Sequence, residues 1–252
     1  MTSDSALFQY LLRLGDNCLI MGQRLSEWCG HGPALEEDLA LTNVALDLIG
    51  QARLWLSYAG EVEGRGRDED QLAFLRDAGD FRNVLLVEQP NGNFADTVVR
   101  QFFFDTWHYF LLRGLQRSAN PRIAEIAEKS SKEVTYHVRR SGDWVVRLGD
   151  GTEESHAKML VAIDTLWSYT GELFACDSVD HALQQQDVSF DLKGLREPWL
   201  AHVRSVLDEA TLSFPAEAWM QRGGKQGVHT EHLGYMLAEM QFLQRAYPGA
   251  QW

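Results

Sequence analysis

Ser131-Lys132-Glu133-Val134-Thr135-Tyr136-His137-Val138-Arg139-Arg140 is the stretch on which the reading of this chain turns. It reads as the middle of a helix and comes close to a metal-binding pattern. A helical di-iron bundle takes a Glu-x-x-His pair from each of two helices, because residues three apart share a face and can grip one metal pair. Three places before His137 stands Val134, which cannot ligate anything, and Glu133 is one place too early. The stretch is therefore a site, a degraded site or an ordinary helix with a core histidine. Each reading needs further long helices around it.

The rest of the chain supplies them. Ser5 to about Trp28 is predicted helical, with Leu7, Tyr10, Leu11, Leu14, Cys18, Met21 and Leu25 at three- and four-residue steps and Asp4 available as a cap. Glu36, Glu37 and Asp38 place acid at the start of a second helix, from Leu39 to about Gly60, where the dipole favours it. That helix is apolar on nearly every side (Leu41, Val44, Ala45, Leu46, Leu48, Ile49, Leu54, Trp55, Leu56), a pattern expected inside a bundle. Its one polar stripe is Asn43, Asp47 and Gln51, and a buried polar stripe needs partners. Two short segments follow, at 71–77 and 81–87. Asn93 is placed to cap a third long helix, Phe94 to about Arg117, in which Gln101, Asp105 and His108 share a face. Pro121 opens the fourth, which carries the quoted stretch to about Leu148. Further helices are expected at 153–174, at 195–212 and from Thr230 to about Ala246, with 176–194 polar and irregular. Strand patterning is nearly absent. The fold class is all-α, in a single domain over 1–252.

Composition narrows the function. Hydrophobic residues make up 45% of 252, with eight Trp and twelve Phe, enough for a sizeable core. A net charge of −13 argues against nucleic acid and anionic membrane as partners. Cys18, Cys29 and Cys176 show no CxxC spacing, which fits buried thiols in a reducing compartment. With no signal-peptide pattern at Met1-Thr2-Ser3-Asp4 and no membrane-length apolar run, a cytoplasmic protein is expected.

Asp47 and Gln51, Asp105 and His108, and Glu133 and His137 come from three of the long helices. One reading is a metal site with His and carboxylate ligands. The other is a buried polar network setting helix register, with Lys132, Arg53 or Arg100 as cationic partners. None of these three helices contains a Glu-x-x-His pair, and Asp105-x-x-His108 is their nearest approach. His229-Thr230-Glu231-His232 reads as surface or capping groups at a helix start. Arg222-Gly223-Gly224-Lys225-Gln226-Gly227 lacks phosphate-loop spacing and reads as a flexible linker. Leu233, Met236, Leu237, Met240 and Leu243 form a core stripe whose end, at Tyr247 and Trp252, suits a partner.

Five strings carry a resemblance: LRLGDNC at 12–18, QRLSEWCG at 23–30, LLVEQPNGNFADT at 85–97, GVHTEHLG at 227–234 and LAEMQ at 237–241. On them the chain resembles the C-subunit family of the bacterial ring 1,2-phenylacetyl-CoA epoxidases, phenylacetate-degradation proteins, over most of its length. The resemblance implies a ferritin-like four-helix-bundle core with additional helices. It implies a non-catalytic structural role in a monooxygenase complex of aerobic aromatic degradation. The partner it implies is the catalytic A subunit, a sister fold holding the di-iron centre. A small B subunit and a reductase with FAD and an iron-sulfur cluster complete the complex, which uses O₂ and NADPH. No cofactor is implied in this chain.

Laid against the catalytic sister's pattern, the first Glu-x-x-His falls on Leu48 and Gln51 and the second on Val134 and His137. The first-helix carboxylate falls near Met21, and Asp105 keeps a carboxylate. The resemblance thus implies a pseudo-site of Met21, Leu48, Gln51, Asp105, Val134 and His137. A buried polar network of Asp47, Asp105, His108, Lys132, Glu133 and His137 is expected in place of metals. Asp47 and Asp105, paired with cations, should then titrate below their unfolded values. Two other readings stay open: an active di-iron or mononuclear oxidase using Asp105, His108, Glu133 and His137, and a homodimeric scaffold. A homodimer is also expected when the chain is made alone.

Overall fold

The structure is a computed structural model and describes residues 3–250. Among them every regular element is helical: α1 (Ser3–Ser26), α2 (Leu35–Glu63), α3 (Glu69–Phe74), α4 (Leu85–Glu88), α5 (Phe94–Leu115) and α6 (Pro121–Gly149). Then come α7 (Glu153–Trp167), α8 (Ser178–Gln184), α9 (Arg196–Glu209), α10 (Glu231–Met240) and α11 (Phe242–Ala246). The all-α class is as the sequence predicts. No helix of the described residues is long and apolar enough to cross a membrane. The chain divides into two compact units, Met1–Pro90 with Gly223–Trp252, and Asn91–Arg222.

In the first unit α1 and α2 pack antiparallel. A Cβ on Gly15 would sit 2.7 Å from Leu56, and one on Gly22 would sit 3.2 Å from the Ala45 carbonyl. Bare backbone at those two positions lets the helices approach closely. Leu11, Ile20, Met21 and Leu25 of α1 and Leu41, Val44, Leu48 and Trp55 of α2 are fully buried. Asp4 falls inside the first turn of α1 and does not cap it. The expectation that α2 is enclosed needs correction. Leu46 is 61% exposed and Ile49 36%, and Leu35 and Leu39 also face outward.

The supposed linker at 222–227 is also corrected. It forms a tight turn held against residues 79–85: a Cβ on Gly224 would overlap the Asn83 carbonyl at 2.1 Å, and one on Gly227 the Gly79 carbonyl at 2.3 Å. Gly227 is in the left-handed region (φ 82°) that favours glycine. Thr230 stands at the start of α10, but its hydroxyl bonds Glu88 and makes no cap bond. Leu233, Met236 and Leu237 are buried as expected, whereas Leu243 and Tyr247 are exposed. Trp252 lies outside the described residues.

The second unit is built on α5 and α6, also antiparallel, as the Gln116–Ser131 bond (2.7 Å) and the approach of Gly142 to Phe102 show. Asn93 caps α5 by accepting from the Ala95 N–H at 2.8 Å, and the Asp96 carboxylate accepts in return from the Asn93 N–H. Phe103, Trp167, Phe174 and Trp199 form one aromatic cluster, with centroids 5.3–5.8 Å apart. The Trp199 indole N–H donates to the Phe103 carbonyl and that of Trp107 to the Leu173 carbonyl, so both indoles are buried with their polar atom satisfied. α7 stops at Trp167, short of the expected 174, because the Thr170 hydroxyl takes the Trp167 carbonyl. The stretch 176–194 holds a helix after all: Asp177 and Asp180 form a capping box that starts α8.

Candidate functional site

α5 and α6 bring Asp105, His108, Val134 and His137 into the interior of the second unit, all four no more than 2% exposed. The 3.6-residue period puts Asp105 and His108 on one face of α5 and Val134 and His137 on one face of α6. Arg140 and Ser141, three and four places after His137, are buried beside it, and the Ser141 hydroxyl bonds the His137 carbonyl at 2.9 Å. Neither carboxylate oxygen of Asp105 meets a donor in full hydrogen-bond geometry.

Burial pushes the Asp105 carboxyl up to about 6, the reverse of the expected direction. The charges of His137 and Arg140, with Ser141 and Gln101 nearby, only partly offset that desolvation. His108 lies among rings, 5.1 Å from Phe104 and stacked on Trp107 at 6.3 Å. Burial and the neighbouring His137 push it down to about 3, so it is neutral.

The network is therefore smaller than predicted. Lys132 is exposed and cannot belong to it, and Glu133 is half-buried. Arg53 is exposed on α2 and pairs with Glu69 at 3.0 Å, while Arg100 is buried and donates to Asn91 at 2.6 Å. The cation beside Asp105 is Arg140, which the sequence reasoning missed although it sits one turn from His137 on the same face. One Glu-x-x-His run lies outside those three helices, at Glu153 to His156. Glu153 is exposed, and His156 Nδ1 bonds the Gly149 carbonyl at 2.7 Å, where it caps the end of α6.

The other positions of the expected pseudo-site lie in the first unit. Met21 and Leu48 are fully buried apolar side chains, and Gln51 is buried with its amide oxygen 3.9 Å from the Cys18 thiol. Asp47, on the same helix, is half-buried. The α1–α2 pair thus offers no buried carboxylate at these positions, and α5–α6 offers one with two imidazoles. Oxygen-activating metal pairs need several anionic oxygen ligands, and the single carboxylate and two imidazoles of α5–α6, taken by themselves, do not fit them.

An expected result follows for Asp105. A folded pKa raised from 3.8 to about 6 favours the protonated form, so this group's contribution to stability is full below about pH 4 and is lost as pH rises through 6. Asp105→Asn should therefore match wild type near pH 4 and be more stable at pH 8 by up to about 3 kcal/mol. Urea denaturation at both pH values checks this. A variant less stable than wild type at pH 8 would show that His137 and Arg140 hold the carboxylate charged.

An extensive polar cluster lies in the first unit, on residues that the sequence reasoning left out of its network. Glu88, fully buried, accepts from the Thr230 N–H (2.7 Å), the Thr230 hydroxyl (2.8 Å), the Asn83 amide (2.9 Å) and His229 Nδ1 (2.8 Å). His229 Nε2 reaches the Phe81 carbonyl at 3.1 Å, and its side chain is 4% exposed, so it is not the surface group expected. Asp16 and Arg76, both buried, form a bidentate pair that also takes the Arg82 N–H. The signal for these partners was long-range: Glu88 and His229 are 141 residues apart.

All 252 residues match the family described as phenylacetic acid catabolic proteins. The chain is 56% identical over 246 residues to the C subunit of the 1,2-phenylacetyl-CoA epoxidase of Escherichia coli (strain K12). That alignment covers 98% of this chain and 99% of the relative. Matched by the family model across its whole length and 56% identical to this relative, the chain belongs to the phenylacetic acid catabolic protein family.

Proposed function

We propose that this chain is the non-catalytic C subunit of a phenylacetyl-CoA epoxidase in phenylacetate catabolism, acting in the cytoplasm by pairing with and stabilising the catalytic A subunit. On this reading the di-iron centre belongs to the A subunit and the FAD and iron-sulfur cluster to the reductase, and this chain contributes no reacting group. Near-full-length identity to the C subunit of the E. coli epoxidase supports the assignment to the complex. The observation that carries the non-catalytic part is the full burial of Leu48 and Val134, two apolar side chains at positions on which the resemblance to the catalytic sister's pattern lays the ligand carboxylates.

Co-expression of the tagged chain with the A and B subunits, followed by metal analysis, tests the reading. The expected result is co-purification with A, with iron following A and not this chain. Stoichiometric iron in the chain alone, lost in Asp105→Leu, would overturn the non-catalytic assignment. Absence of A from the purified material would overturn the partnership.

A further inference from the structure

α5, α6 and α9 enclose an open cleft of about 660 Å³ within the second unit, a volume in the range of small-molecule sites. Its walls are apolar and half-buried: Val138 and Val146 of α6, Val206 of α9, and the Tyr109 and Phe110 rings of α5, edge to face at 5.3 Å.

Two polar groups that line the cleft make no bond within the chain. Thr106 is fully buried, and its hydroxyl has no hydrogen-bond partner. A helical threonine can turn its hydroxyl back onto the carbonyl four residues earlier, as Thr135 of the same cleft does with Ser131 at 2.7 Å. Nε2 of His202 is equally buried and unbonded, while the imidazole packs on Phe102 at 5.9 Å. Buried polar atoms are as a rule satisfied, so two orphans at one cleft call for a bonding group from outside the chain.

Space is the second observation. Gly142 stands in the interior of α6, where glycine weakens a helix relative to alanine. A Cβ built on it would meet only Phe102 and Val206, at 3.8 and 3.9 Å, both ordinary contacts. The protein's own packing thus has no need of a glycine here. What the missing side chain provides is room in the cleft.

These groups define the ligand. Burial lowers the His202 pKa, so the ring is neutral near pH 7, as the Thr106 hydroxyl is. At the rim the charges of Arg139 and Arg147 cancel those of Asp143 and Glu209. An ion seated between the two orphans would find no counter-charge there and would be costly to desolvate. A hydroxyl suits both, accepting from the Thr106 O–H while donating to the imidazole nitrogen. The rings and valines around it suit a flat hydrocarbon body.

We infer that this cleft binds an uncharged alcohol or phenol with an apolar body, its hydroxyl held between Thr106 and His202. The site uses none of the residues on which the proposed function rests, so the two are tested separately.

The probe is 2-naphthol, titrated into the full-length chain by calorimetry, with methyl NMR of the cleft valines to locate it. A Kd on the order of 0.1 mM or tighter is expected for a ligand of this size, with shifts at Val138, Val146 and Val206. Thr106→Val keeps the shape and removes the hydroxyl, and His202→Phe removes the ring nitrogens. Each should weaken binding by about tenfold and leave the thermal midpoint at or above that of wild type. Gly142→Leu fills the cleft and should abolish binding. The first two variants need little room beyond the native side chains, so they carry the test even where Gly142→Leu folds poorly. The carboxylate analogue 2-naphthoate should bind more weakly than 2-naphthol.

A wild-type chain that does not bind 2-naphthol overturns the site. So does binding that neither Thr106→Val nor His202→Phe weakens, since the ligand then sits elsewhere. Tighter binding of 2-naphthoate overturns the uncharged class, because Arg139 and Arg147 would then be holding an anion.

Discussion

Arg76→Ala is expected to destabilise the protein by about 3–5 kcal/mol, the cost of leaving a buried charge without its partner. Asp16 is fully buried, and both of its oxygens are taken by the Arg76 guanidinium. The same guanidinium donates to the carbonyls of Leu72 and Asp80 and lies 4.3 Å from the centre of the Phe81 ring. One side chain thus ties α1 to the whole segment 72–82. Truncation would leave the Asp16 carboxylate leaning on the Arg82 N–H, a neutral donor, in place of a bidentate guanidinium. The double variant Asp16→Leu, Arg76→Met removes both charges and should recover more than half of the loss, because an apolar pair of similar size avoids the desolvation cost. Urea denaturation of the two variants measures the difference. A double variant as unstable as Arg76→Ala would mean that the lost packing and carbonyl bonds, and not the stranded charge, set the cost.

Glu88→Ala should open the returning C-terminal segment. Four donors converge on this carboxylate, three of them from His229 and Thr230. Removing it strands His229 and Asn83 in the interior, at about 1–3 kcal/mol for each unsatisfied group. Lys225, 7% exposed in the adjoining turn, is shielded from trypsin. Where cleavage follows the open population, about 3 kcal/mol corresponds to roughly a hundredfold faster cut at Lys225. Unchanged cleavage would show that the glycine contacts alone hold the turn.

The same contact is pH-dependent. Burial lowers the His229 pKa, but the hydrogen bond and charge of Glu88 and the Phe81 carbonyl outweigh it, so the net direction is upward. With an acceptor at each ring nitrogen, only the imidazolium satisfies both. A raised folded pKa gives stability that is complete below the unfolded value of about 6.5 and is lost as pH rises through the folded one. Protection of Lys225, normalised to a peptide substrate, should fall across that range in wild type. Glu88→Gln should show a weaker dependence.

Helix periodicity made the long elements legible. α5 and α6 begin where Asn93 and Pro121 signal, and His137, Asp105 and Val134 are buried as their faces require. Two kinds of information were not local. The outward side of α2 looks like core because Leu46 and Ile49 are as apolar as Leu41 and Leu48; hydrophobicity says that a residue wants covering and not what covers it. The Glu88 and Asp16 clusters escaped because each partner is unremarkable alone. His229 beside Thr230 resembles a helix cap until Glu88 arrives from the far side of the sequence. The direction of the Asp105 shift was misjudged for a related reason: pairing with cations was assumed to exceed desolvation, and full burial reverses that order.

The first unit is split in the chain, its second piece starting at Gly223 after the whole of Asn91–Arg222. During synthesis Asp16, Arg76 and Glu88 emerge early, while His229 and Thr230 emerge last. Until then Glu88 lacks its partners His229 and Thr230 and must stay hydrated, so α4 cannot settle into its final dry environment. The inserted unit has its own aromatic core and can fold first, as domains do on the ribosome. A truncation after Arg222 therefore removes more than two short helices: it leaves a half-built unit with a solvated carboxylate where its interior should be.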